Sequence, residues 1–205
     1  RLISVSAVGT MKEEIEPGHL VLPDQFIDRT VRRVSTFFTE GIVGHVGFAD
    51  PICPEVAKSL AGSAKEVGGR VHESGTYICI EGPQFSSRAE SNLYRQWGVD
   101  IIGMTIVTEA KLAREAGICY ATLALVTDYD CWKVEEEAVT LEAVLEIMHK
   151  NVERAQAVIK TLAPRLTGER TCSCGSAALN AIVTDRNLIP ENLKKDLSIL
   201  FGNSL

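Results

Sequence analysis

Ile118-Cys119-Tyr120-Ala121-Thr122-Leu123-Ala124-Leu125-Val126 runs straight into Thr127-Asp128-Tyr129-Asp130-Cys131-Trp132, and this junction decides the fold. An uncharged, mostly apolar run that stops at two acids predicts a buried strand of a parallel sheet, ending where the acids begin. Residues two apart on an extended chain face the same side, so Asp128 and Asp130 are expected to point together into whatever opens beyond the strand's carboxyl end. A carboxylic acid placed there donates to a heterocycle nitrogen while its neighbour accepts from an exocyclic amine. The competing reading is a solvated turn with an Asx cap.

Working outward, the chain alternates strands with helices. Leu2 to Thr10 reads as a strand, Pro17-Gly18 as a turn, and His19 to Leu22 as a second short strand. Residues 24 to 54 read as a long polar loop of the kind that carries function or an interface. A helix follows from Pro54 to Val67, closed by Gly68-Gly69, and then a strand from Arg70 to Ile80. Ser87 and Glu90 have capping-box spacing for a helix reaching Trp97. Val99 to Met104 predicts a strand and Thr105 to Gly117 a helix. Leu141, Val144, Leu145, Met148, Val152 and Ala155 recur at helical spacing. This order implies an α/β fold with a mostly parallel sheet. Residues 1–205 are expected to form a single domain, with 165–205 an irregular tail up to an amphipathic stretch near Leu193 to Phe201.

With 205 residues, 45% hydrophobic content, a mean hydropathy of +0.08 and a net charge of −6, the chain has the composition of one compact soluble domain. The acidic balance and the lack of a Lys/Arg block argue against nucleic acid as a partner. No apolar run is long enough for a membrane span, so a cytoplasmic location is the expectation. Cys53, Cys79, Cys119 and Cys131 sit among apolar neighbours and read as small buried hydrophobes. Cys172 and Cys174 form a C-x-C pair without the spacing of a structural metal site, which leaves a vicinal disulfide or an intersubunit staple as the livelier reading; no metal site is expected.

Four strand ends carry polar signatures, and ligands of such sheets collect there. Ser6-Ala7-Val8-Gly9-Thr10 lets backbone amides and a hydroxyl approach an anion. Phe85, just before a helix cap, presents a ring face to a planar base. Met104-Thr105 combines a strand mouth with a helix start, which suits phosphate. The Asp128/Asp130 pair supplies the acid. Together these fit cleavage of a nucleoside's glycosidic bond.

At this point the residues resemble a known family, the purine nucleoside phosphorylase superfamily, and within it the trimeric methylthioadenosine phosphorylases. The resemblance runs from Ser4 to Thr161 and rests on D-Q-F-I-D-R-T at 24–30, E-G-P-Q-F-S-S-R-A-E-S at 81–91, A-G-I-C-Y-A-T at 116–122 and T-D-Y-D-C-W at 127–132. It implies a three-layer α/β/α architecture around a central mixed, mostly parallel twisted sheet. It also implies reversible phosphorolysis of 5′-methylthioadenosine to adenine and 5-methylthioribose 1-phosphate. Carried over by similarity, Ser6 and Thr105 contact phosphate, Ala7 and Gly9 line the nucleoside cleft, and Phe85 stacks on the purine. Met104 lies under the ribose. Asp128 serves N7 and the 6-amino group with help from Thr127 and Asp130. Leu141, Val144 and Leu145 border the methylthio group, and His45 reaches a neighbouring subunit's site. A homotrimer or a dimer of trimers is implied, with no metal or organic cofactor, phosphate being a co-substrate.

The chain departs from the family's pattern at Thr108, where Pro is usual, at Ala110, which replaces a larger residue, and at Gln84, which replaces a common Arg. The family's opening third, with a Gly-rich phosphate loop and an Arg-His pair, has no counterpart in this sequence, so part of the anion site is expected to be missing from it. Alternatives are a methylthioinosine or general purine nucleoside phosphorylase, and a non-catalytic nucleoside-binding homologue. A metal held by Asp128 and Asp130 is a poorer reading, since two acids alone make few ligands.

Overall fold

The computed structural model describes residues 1–133 and 141–202, with the side chains of 141–144 excepted. Seven strands form one sheet: β1 (Leu2–Thr10), β2 (Leu20–Val21), β3 (Gln25–Arg29), β4 (Val71–His72), β5 (Thr76–Ile80), β6 (Ile101–Gly103) and β7 (Tyr120–Tyr129). Their order is β3-β5-β6-β1-β7-β2-β4. The pairs β3/β5, β5/β6, β1/β7 and β2/β4 are parallel, whereas β1/β6 and β2/β7 are antiparallel. The sheet is therefore mixed and mostly parallel. Long β7 lies beside β1, and from Tyr120 to Thr127 every one of its residues is buried, which explains its continuous apolar sequence.

Helices α1 (Pro54–Val67), α2 (Arg88–Gln96), α3 (Ile106–Glu115) and α4 (Leu141–Leu162) cover the sheet on both faces. The strand pleat sorts the side chains between them. Tyr77, Cys79 and Ile101 join Val56 and Leu60 of α1, Val107 and Ala110 of α3, and Ala155 and Val158 of α4 in the larger core. Their strand neighbours Ile78, Ile80 and Ile102 turn the other way and pack with Tyr94 of α2, Met11 and Trp132. Pro54 opens α1 and Gly68, at φ 95°, closes it, so the sequence markers at both ends hold. Ser87 and Glu90 form the expected capping box at α2.

Two expectations need correction. The segment from 24 to 54 contains β3, an edge strand whose polar residues are tolerated because only one edge is paired; Phe26 packs edge-on against Tyr77 with ring centres 6.0 Å apart. The strand expected from Arg70 to Ile80 is two strands on opposite sides of the sheet, β4 beside β2 and β5 between β3 and β6. They break at Gly75, whose amide donates to Asp24 Oδ1 at 3.1 Å, while Asp100 Oδ2 takes the Thr76 amide at 2.7 Å.

The segment beyond Pro164 forms short 3-10 turns and then helix α5 (Glu191–Phe201). Leu197 and Phe201 of α5 bury with Phe38, Ile42, Ala178 and Ile189, and Phe38 stacks on Phe201 at 6.1 Å. The long 30–50 segment and the tail thus make a third, smaller core together. Among the described residues, no helix is long and apolar enough to cross a membrane.

Candidate active site

A cleft of about 350 Å³ opens beside the second half of β1, from Ser6 to Gly9, at the carboxyl end of β5, toward the carboxyl end of β7 and at the end of β6 that leads into α3. This is a volume suited to a small organic ligand. Nine of the residues singled out in the sequence line it: Ser6, Ala7, Gly9, Phe85, Met104, Thr105, Thr127, Asp128 and Asp130. They come from four places, β1, the loop before α2, the turn between β6 and α3, and the end of β7, and the way each is held says what it can do.

The acid end is built by an irregularity in β7. Along β1/β7 the register runs Val8↔Val126 and then Gly9↔Asp128, so Thr127 is an extra residue, a β-bulge that re-aims the chain at the strand end. Thr127 Oγ1 lies 2.6 Å from Asp128 Oδ2 and 3.2 Å from the Val8 carbonyl. Its hydroxyl therefore fixes one oxygen of the Asp128 carboxyl, while Oδ1 packs over Gly9. A Cβ on Gly9 would come within 3.2 Å of that oxygen, which is why a residue without one stands there. Burial is the main cause that pushes the Asp128 carboxyl above the ordinary range; Thr127's hydrogen bond opposes it and the negative charge of Asp130 adds to it. A carboxyl so placed is a proton donor at milder pH than a free aspartate.

Asp130 is not a solvated turn residue. It is 9% exposed, its amide donates to the Thr10 carbonyl at 3.3 Å, and the chain beyond it is pinned by Trp132. The indole N–H of Trp132 also donates to Thr10 O, at 2.8 Å, under the Arg95 guanidinium at 3.7 Å from the ring centre. That clamp holds the Asp128/Asp130 pair against the end of β1.

Across the cleft, Ser6 Oγ and Thr105 Oγ1 lie 3.2 Å apart, Ser6 half-buried and Thr105 exposed. Thr105 is the N-cap of α3, yet its hydroxyl makes no capping bond, so it stays available to a ligand at the positive end of the helix. Its amide donates to the Tyr77 hydroxyl at 3.2 Å, which fixes the turn. Two hydroxyls at a helix start suit an anion's oxygens. Phe85 is 83% exposed at the rim, a large apolar ring without protein cover, as a base-stacking residue would be.

The remaining predicted residues lie elsewhere. His45 is exposed and away from the cleft of its own chain; its amide donates to Ala181 O at 2.9 Å. Leu145 is 44% exposed on α4 and does not line the cleft either. The side chains of Leu141 and Val144 lie outside the described residues.

Sequence reasoning missed three contributors. Ser86 lines the cleft, with a buried hydroxyl that has no partner among the described residues. Arg33 ties two cleft loops together by donating to the carbonyls of Glu81, at 2.9 Å, and of Met104. Glu81 in turn accepts from the Val31 amide at 2.6 Å, which holds its carboxylate below the usual range. Only the acid-base complementarity of Arg33 and Glu81, 48 positions apart, could have signalled this in the sequence.

A mixed α/β sheet with a hydroxyl pair facing a bulge-held acid across a strand-end cleft defines a nucleoside-type phosphorylase scaffold. The chain belongs to the phosphorylase superfamily, whose family model matches residues 1–164. It is 53% identical over 204 residues to the S-methyl-5′-thioadenosine phosphorylase of Geobacter sulfurreducens, covering 99% of this chain and 71% of that protein. The crystal structure of a methylthioadenosine phosphorylase from an antarctic soil metagenomic library superposes with a TM-score of 0.92 at 48% identity, over 97% of this chain and 70% of that one. A double mutant of the adenosine/methylthioadenosine phosphorylase from Schistosoma mansoni, solved with adenine, superposes at 0.80 with 32% identity, over 89% and 73%.

Proposed function

We propose that this protein catalyses reversible phosphorolysis of 5′-methylthioadenosine, giving adenine and 5-methylthioribose 1-phosphate. The observation that carries the reading is Asp128: a buried carboxyl, raised by its surroundings and fixed by Thr127, in the same cleft as the Ser6/Thr105 hydroxyls. Relatives at about half identity named for this reaction, and a structural neighbour solved with adenine, support it.

In the reaction the C1′–N9 bond breaks with its electrons moving to the purine, and a phosphate oxygen forms the new bond to C1′. Asp128 gives its proton to N7, so the departing base leaves neutral, and phosphate on Ser6 and Thr105 stabilises the cationic sugar before attacking it. Asp130 keeps Asp128 protonated and Phe85 stacks on the base. An acid at 128 accepts from a 6-amino group in its charged form and donates to N7 in its neutral form, which favours adenine over a 6-oxopurine. Leu141, Val144 and Leu145 border the methylthio group and His45 completes a neighbouring subunit's site in a homotrimer or a dimer of trimers. The chemistry needs no metal or organic cofactor, with phosphate as co-substrate, and the protein works in the cytoplasm.

The test is base release from methylthioadenosine, methylthioinosine, adenosine and inosine by the complete protein, each with and without phosphate. Phosphate-dependent adenine release, fastest from methylthioadenosine, supports the reading. Faster hypoxanthine release transfers specificity to 6-oxopurines, and no release from any substrate leaves a nucleoside-binding role.

A further inference from the structure

Four of the six cysteines converge far from the cleft: the sulfurs of Cys53, Cys119, Cys172 and Cys174 all lie within 4.8 Å of one another, and all four are free thiols. They come from three separate parts of the fold. Cys53 is the N-cap of α1, Cys119 immediately precedes β7, and Cys172 caps the short 3-10 turn Ser173–Ser176 that contains Cys174. The closest pair, Cys119 and Cys172, stands 3.4 Å apart. From this convergence we propose that the four thiols form a tetrahedral site for a structural zinc ion, which ties the tail to the sheet.

The geometry and chemistry of the donors carry the proposal. Sulfurs bound tetrahedrally at about 2.3 Å from zinc lie about 3.8 Å from one another, inside the observed spread. All-thiolate tetrahedral sets select zinc or iron, and a closed set without an open position is structural, not catalytic. Cys53, Cys119 and Cys174 are buried, whereas Cys172 is half-buried. Cys172 and Cys174 also border a separate cleft of about 680 Å³, which gives an ion a way in. Binding would release the four thiol protons and leave a complex of net charge −2. Arg114 lines the same cleft, and Arg170, bonded to Gly117 O at 2.9 Å, passes beside Gly175, so positive charge is at hand on two sides. In the sequence the C-x-C pair looked isolated because its two further ligands lie 53 or more positions away.

The decisive experiment is metal analysis of the complete protein, purified without chelators from zinc-supplied cells, together with cobalt replacement and X-ray absorption. The expected result is one zinc per chain with four sulfurs at about 2.3 Å, and thiolate-to-cobalt charge-transfer absorption on replacement. The variant Cys172→Ser/Cys174→Ser should lose the zinc, and Cys131→Ser should keep it. A reduced wild-type chain that takes up neither zinc nor cobalt overturns the proposal. So does a chain lighter by two or four hydrogens, in which these cysteines are paired as disulfides, or zinc retained in full by the double variant. Should the double variant not fold, the wild-type cobalt spectrum alone decides.

Discussion

At Asp128 the protonation state decides between a donor and a spectator, and its neighbours set that state. Because burial raises this carboxyl, its acid form persists to higher pH than a free aspartate's, and phosphorolysis is expected to fall as pH rises through the raised value. Asp128→Asn removes the proton donor and should lower adenine release ~100- to 10,000-fold, measured as kcat, with the fold intact by circular dichroism. Stability should follow pH in the same direction. A raised folded-state pKa means the unfolded chain binds fewer protons in the window above the ordinary aspartate value, so this group's contribution is full below that value and is lost as pH rises through the folded one. Asp128→Asn should therefore match or exceed the wild type in urea unfolding at neutral pH, and lose that advantage near pH 3; a variant clearly less stable at neutral pH would contradict the cause assigned to the shift. Asp128 itself was legible because two acids stood after an apolar run. Its partner in position, the Thr127 bulge, was not, since an extra residue in one strand is defined only against its neighbour's register.

Elements in this chain announce themselves where local chemistry suffices and stay hidden where pairing decides. Pro54 with Gly68-Gly69, and Ser87 with Glu90, marked α1 and α2 because caps and turns are settled within a few residues. The edge strand β3 and the break at Gly75 escaped because polar Gln25 to Arg29 is held by β5 and the Gly75 turn by Asp24, partners distant in the chain. The Ser87 cap also bears on function, since it lies two residues after Phe85. Ser87→Ala loses both the Glu90 amide's acceptor and the hydroxyl's own bond to Glu90, and should cost about 1 kcal/mol in urea unfolding. It should weaken methylthioadenosine binding more than turnover, seen as a rise in KM at nearly constant kcat. An unchanged unfolding midpoint would place the helix's stability elsewhere.

On the scale of the whole molecule, the alternating pattern was enough to read a mostly parallel α/β sheet, and the strand-end logic brought nine of the predicted residues into one cleft. Long-range assembly was beyond it: the third core, where the tail meets the 30–50 segment, and the four-cysteine convergence depend on contacts across more than 50 positions. His45, exposed and outside its own chain's cleft, belongs to this scale too. His45→Ala should weaken methylthioadenosine binding in the oligomer alone; an equal loss in a dilute sample shown to be monomeric by ultracentrifugation would refute the shared site. In the proposed reaction Asp128 drives phosphate-dependent departure of adenine. The most direct test is the rate of adenine release from methylthioadenosine with and without phosphate, for the complete wild-type protein and for Asp128→Asn. Release should require phosphate and drop at least ~100-fold in the variant; release without phosphate, or at the wild-type rate in the variant, would contradict this role of Asp128.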